Sequence, residues 1–186
     1  MYNYPLTITS GSLGLFPKVV AVDAGKRTAL FIKTKAGPVR DGKEPYRVFA
    51  DEKQERLLFQ IQLNKPDKKT RLFEISIADG TKLGTVVPDE GRKWIIQNTS
   101  GISVGKITEK NGWRRDWAFL LGYLGFILIP IAPIQYEIEL NEQKILLLQE
   151  KYDFLNSVDT LKQIGSCLEA EEQLLLASLM VIFWPV

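Results

Sequence analysis

The sequence predicts a mainly β protein whose antiparallel sheet closes around a helix at the C-terminal end. Three observations carry that expectation. Short runs place apolar residues at every second position, their connectors are rich in Asp, Asn and Gly, and within EEQLLLASLMVIFWPV at 171–186 the part from Leu174 to Trp184 is apolar on every side.

The alternating runs are ALFIKTK (29–35), EPYRVFAD (44–51), RLLFQIQL (56–63), RLFEISIAD (71–79), KWIIQN (93–98), ISVGKITEK (102–110), IQYEIEL (134–140) and KILLLQE (144–150). A period of two is the pattern of a strand with one face in the core and one in water. ADGTK, NTSGI and LNEQK supply the turn residues between them, and Asp79-Gly80 is a strong signal for a tight reversal. Two hairpins repeat one pattern. Gly80, Leu83, Gly84 and Val86 recur at the same spacing as Gly101, Val104, Gly105 and Ile107. The first glycine suits a turn with positive φ, and the second, inside a strand, predicts a bulge or a close backbone approach. Phosphate-cradling loops lead into a helix, whereas these lead into strands.

For the terminal helix, Ser166 and Glu169 have capping-box spacing, Glu171 and Glu172 put negative charge at the positive helix end, and Pro185 stops it. A helix over about 167–184 follows. Its apolar part spans roughly 16 Å, too short for a bilayer core of about 30 Å. A helix with no polar face must be surrounded, and in a protein of hairpins the enclosure is a closed sheet.

Composition excludes several functions. With 186 residues, 45% apolar and 25% charged, the chain is long enough for one buried core, and it reads as a single domain over 1–186. A formal net charge of +2 provides no global footprint for nucleic acid. No histidine is present, so neither the usual zinc sets nor a histidine-based triad can be assembled. Cys167 is the single cysteine, which excludes an intramolecular disulfide, and MYNYPLTITSGSLG lacks the pattern of a secretion signal. A cytoplasmic, reducing environment is expected. Glu137 and Glu139 share a strand face and read as solvated surface rather than a glycosidase pair. The expectation is a non-enzyme with no catalytic residues, no metal and no cofactor.

One segment departs from the hairpin pattern. NGWRRDWAFLLGYLGFILIPIAP, inserted at about 113–133, leads into an uncharged run of 18 residues over 117–134. As a helix that run would reach about 27 Å, barely a bilayer span. Trp113, Arg114, Arg115 and Trp117 form an aromatic and basic start like an interfacial anchor, and Phe119, Tyr123 and Phe126 continue it with rings. Gly122, Gly125, Pro130 and Pro133 break the run, and a single crossing would place two strands of one barrel on opposite sides of a membrane. The alternatives are a re-entrant or surface-lying segment, or packing on the barrel or on a partner. Lys33 and Lys35 on one strand face, and Lys65, Lys68, Lys69 and Arg71 around one loop, are candidates for contact with anionic headgroups.

YPLTITSG, YRVFADEKQERLLFQIQ, the hairpins with DGTKLGTV and TSGISVGKI, and LEAEEQLLLASLMVIFW together resemble the tubby C-terminal-like superfamily, in its LURP-one-related and phospholipid-scramblase-like branch. The resemblance covers most of the chain. It implies a closed barrel of about twelve strands around a hydrophobic C-terminal helix, and an association with phosphoinositides or membranes. The acidic, calcium-linked segment of scramblases is reduced here to Asp153, Asn156 and Asp159, too few for the about six to eight oxygens calcium takes. The expected function is therefore a membrane-associated or lipid-headgroup-binding module whose partner is an anionic phospholipid surface. The alternatives are a soluble protein-interaction module, with the apolar segment covered by a partner or by self-association, and a lipid-translocating protein.

Overall fold

The computed structural model describes residues 2–11, 18–33, 44–65, 71–112, 134–153 and 156–183. Among them are twelve strands: β1 (Leu6–Gly11), β2 (Lys18–Val22), β3 (Thr28–Lys33), β4 (Tyr46–Phe49), β5 (Leu57–Asn64), β6 (Leu72–Ile77), β7 (Lys82–Asp89), β8 (Lys93–Gln97), β9 (Ser103–Lys110), β10 (Gln135–Leu140), β11 (Gln143–Asp153) and β12 (Asn156–Gln163). The helix α1 (Glu169–Ile182) follows. Every strand pairs antiparallel with the next in sequence, and β1 pairs with β12, so the sheet closes as a barrel. Leu6 lies opposite Leu161 and Ile8 opposite Asp159 at that closing seam.

Strand alternation builds the interior. Phe59, Ile61 and Leu63 on β5, Phe73 and Ile75 on β6, and Ile138 and Leu140 on β10 belong to one buried cluster that also contains the helix residues Leu174 to Ala177 and Leu179 to Val181. The alternate positions carry Gln60, Gln62, Glu74, Glu137 and Glu139 on the outer wall. Eight consecutive helix residues, Leu174 to Val181, are buried, which is more than two turns and so covers every face of the helix. Ser178, the one hydroxyl in that stretch, donates to the Leu174 carbonyl at 2.7 Å and so needs no partner from the sheet.

The helix start differs from the sequence expectation. Its N-cap is Leu168, not Ser166, and makes no side-chain cap bond, while Glu171 rather than Glu169 reaches back to accept the Leu168 N–H at 2.8 Å. Before that point the chain is still tied to β11, with the Ile164 and Gly165 N–H groups both donating to the Ile145 carbonyl. Helical dihedrals begin only after the chain has turned into the barrel mouth. Glu169, Glu171 and Glu172 all occupy the first turn, where the exposed N–H groups favour negative charge.

Odd strands run away from the rim where α1 begins, the near rim, and even strands return to it. All five hairpins at the near rim share one irregularity. Where the register slips, one extra residue on the odd strand has no opposite number: Ala29 on β3, Leu58 on β5, Leu83 on β7, Val104 on β9 and Ile145 on β11. Each is apolar and packs on or within the core. A bulge re-aims a side chain and bends its strand, and here a ring of bulges adds one apolar residue per hairpin to the barrel mouth. The repeated glycine pattern is explained by it. Gly80 and Gly101 hold φ of +90° and +78° in their turns, Leu83 and Val104 are the bulged residues, and Val86 and Ile107 are the fully buried positions beyond.

Candidate membrane-facing rim

The opposite rim, where the helix ends, is where most of the sequence-predicted candidates attach. Lys65 follows the last residue of β5, Arg71 precedes the first of β6, and both are exposed. The strand ends beside them, Asn64 and Leu72, are direct partners. Lys33 closes β3 and its backbone pairs with that of Lys18, which is exposed. Lys35, Lys68 and Lys69 lie outside the described residues, and so does the side chain of Lys33. Trp113, Arg114, Arg115, Trp117, Phe119, Tyr123 and Phe126 also lie outside them. Their attachment points are nevertheless defined. The described chain stops at Gly112 and resumes at Ile134, and Lys110 and Gln135 are direct partners, so the insertion leaves and rejoins the barrel at one rim.

A polar cluster that periodicity alone did not single out sits at those attachment points. Glu109 is two residues beyond the inward-facing Ile107 on β9, so alternation points its carboxylate inward, and its side chain is only 2% exposed. It accepts from Arg92 Nη1 at 3.1 Å and from the Tyr136 hydroxyl at 3.2 Å. Arg92, in the tight turn between β7 and β8, also donates through Nη1 to the carbonyl of Gly112, the last residue before the insertion. Tyr136 lies two residues after the return, opposite Glu109 in register, and its ring meets Trp94 with centroids 6.2 Å apart. The return point itself is held by the Glu150 N–H, which donates to the Ile134 carbonyl at 3.0 Å.

The near rim has a different character. A cleft of about 710 Å³ opens there between the N-terminal segment and the turns before β3, β5 and β7. Glu172, 1% exposed, lines it and accepts the Tyr2 N–H at 3.3 Å. Burial and the neighbouring Glu172 push the Tyr2 phenol up to about 12, with Arg56 acting in the opposite sense. Burial and Glu172 also push the Tyr4 phenol well above its ordinary value. These phenols therefore stay neutral, and both rings pack against the barrel core.

The outer wall bears on membrane contact too. Lys106 pairs with Glu139 at 2.9 Å, Lys144 and Lys110 with Glu137 at 2.9 and 3.6 Å, and Lys82 with Glu74 at 3.0 Å. The Lys144 ammonium holds the Glu137 carboxyl below its usual range. A wall crossed by ion pairs is unlike the apolar band of a membrane-spanning barrel. Among the described residues no helix is long and apolar enough to cross a membrane, and no group of three His, Cys, Asp or Glu is placed to share a metal ion. Asp153 and Asn156 are opposed strand residues of β11 and β12, and Asp159 is buried opposite Glu150 and Ile8. No family model matches this chain, and no curated protein or solved structure matches it either.

Proposed function

We propose that the protein is a non-enzymatic, membrane-associated module that meets an anionic phospholipid surface from the cytoplasmic side with its far rim. It is of the scramblase-like or LURP-one-like type within the tubby C-terminal-like superfamily. The observation that carries this reading is the pairing of Lys110 with Gln135, because an insertion rooted in two adjacent strands at one rim can lie on or dip into a surface without dividing the barrel. Lys18, Lys65, Arg71, Lys93 and Lys110 are exposed at strand ends on that same rim. Each basic group near an anionic surface contributes about 1 kcal/mol. The polar outer wall supports contact through the rim rather than through the barrel's side. A membrane-facing rim also agrees with the family resemblance, whose quoted segments fall on β1, β4–β5, the β6–β9 hairpins and α1.

The test is co-sedimentation of the full-length protein with phosphatidylcholine vesicles made with and without phosphatidylserine. Binding to the anionic vesicles is expected. Replacing residues 116–133 by a short Gly/Ser linker should abolish it while leaving the thermal melt in place, since closing a surface loop across paired strands costs little. Arg114→Glu with Arg115→Glu should weaken anionic binding by about tenfold or more and leave neutral vesicles unaffected. A folded deletion variant that still binds as the parent does would overturn the proposal.

A further inference from the structure

We infer that Arg92, Glu109 and Tyr136 form a root clamp that sets the direction in which the insertion leaves the barrel, acting as positioning residues for the membrane contact. The inference rests on the membrane reading for its purpose and on described residues alone for its geometry. Glu109 precedes the departure point by three residues and Tyr136 follows the return by two, so one buried carboxylate binds both roots. Arg92 ties this pair to the β7–β8 hairpin, through Glu109 Oε1 at 3.1 Å and through the Gly112 carbonyl. The Glu109 N–H in turn donates to the Arg92 carbonyl at 3.1 Å, so backbone and side chain cross-brace the same two points.

A clamp accounts for a feature that stability does not. The barrel interior is packed mostly with aliphatic and aromatic side chains, and a buried carboxylate with a partly exposed arginine partner is commonly no more stabilising than apolar groups of similar volume. What such a cluster does supply is a fixed geometry, because each hydrogen bond has a direction that an apolar contact lacks. Fixing the Gly112 carbonyl at the root of the insertion would pre-organise its point of departure and so lower the cost of binding a surface. The Trp94 ring packs beside the Tyr136 ring, with centroids 6.2 Å apart.

The test uses the full-length protein carrying Arg92→Leu, Glu109→Leu and Tyr136→Phe together, which removes both charges of the pair and the hydroxyl that bonds to it. The expected result is an unchanged or higher melting temperature, vesicle binding weakened about tenfold, and amide exchange at Asn111, Gly112 and Gln135 accelerated about tenfold, with Ile96 and Ile138 still protected. Tyr136→Phe alone, which cannot strand a charge, should show the same pattern to a smaller degree and decides the matter if the triple variant fails to fold. Unchanged exchange at Asn111, Gly112 and Gln135 in either folded variant would overturn the clamp. A lower melting temperature with undiminished vesicle binding would overturn it as well, by showing a structural role only. If the parent protein itself does not bind vesicles, the functional reading fails, and the exchange measurement still decides whether the clamp exists.

Discussion

A methyl group added at Gly84 would collide with the Gln97 carbonyl oxygen, and one at Gly105 would collide with that of Glu139. Both neighbours are backbone in adjacent strands and cannot step aside. Gly84→Ala and Gly105→Ala should each cost about 3 kcal/mol in urea unfolding. Gly101→Ala meets nothing within 4 Å and suffers only its φ of +78°, so about 1 kcal/mol is expected there. Equal costs at all three positions would mean that the close approach is not what selects glycine. Titratable residues give a second test. Burial pushes the Tyr46 phenol from an ordinary 10 up to about 12. The folded state then keeps a proton that the unfolded chain releases, so the stabilisation is complete below pH 10 and lost as pH rises toward 12. Unfolding free energy measured across that window should fall more steeply for the parent than for Tyr46→Phe, by about 2 kcal/mol at the alkaline end. Parallel curves would contradict a buried neutral phenol.

Among the elements, α1 bears the sharpest prediction. Leu176 and Met180 are fully buried, and an aspartate at either place would put an unpaired charge in a closed apolar space at a cost of about 3–5 kcal/mol or more. That is a large share of the roughly 5–15 kcal/mol that holds a domain together. Leu176→Asp and Met180→Asp should therefore yield insoluble protein or no cooperative melt, while Ser178→Ala, at the same depth, should remain within about 1 kcal/mol of the parent. A near-native melt for Leu176→Asp would remove the helix from the core. The legibility of each element followed its surroundings. The helix and the alternating runs could be read because their two faces, or their ends, meet different media. β2 could not be read that way, since Val19, Val20 and Ala21 are all buried and leave no alternation. β12 was obscured because Asp159 occupies an inward position where the pattern expects an apolar residue. Glu109 was accessible in principle as the second residue beyond Ile107, but nothing local in sequence announces that its partners would arrive from residues 92 and 136.

For the whole molecule, the two rims divide the work. Five bulged hairpins close the near rim to a common geometry, whereas the far rim holds the longest excursion, between Gly112 and Ile134. The positions most open to change in length and chemistry are thus collected on the side opposite the helix start. The core helix has another consequence, in time rather than in space. α1 follows all twelve strands in chain order, and β1 must wait for β12 before the sheet can close. During synthesis every strand therefore leaves the ribosome before the residues that fill the barrel. Until α1 arrives, the inward faces of a dozen strands have no interior to cover. Such a chain cannot complete its fold strand by strand as it emerges, and it presents unpaired edges and apolar faces for most of its translation. Shielding the growing chain, or releasing it quickly, would limit that exposure, because the helix that completes the shared core is made after every strand.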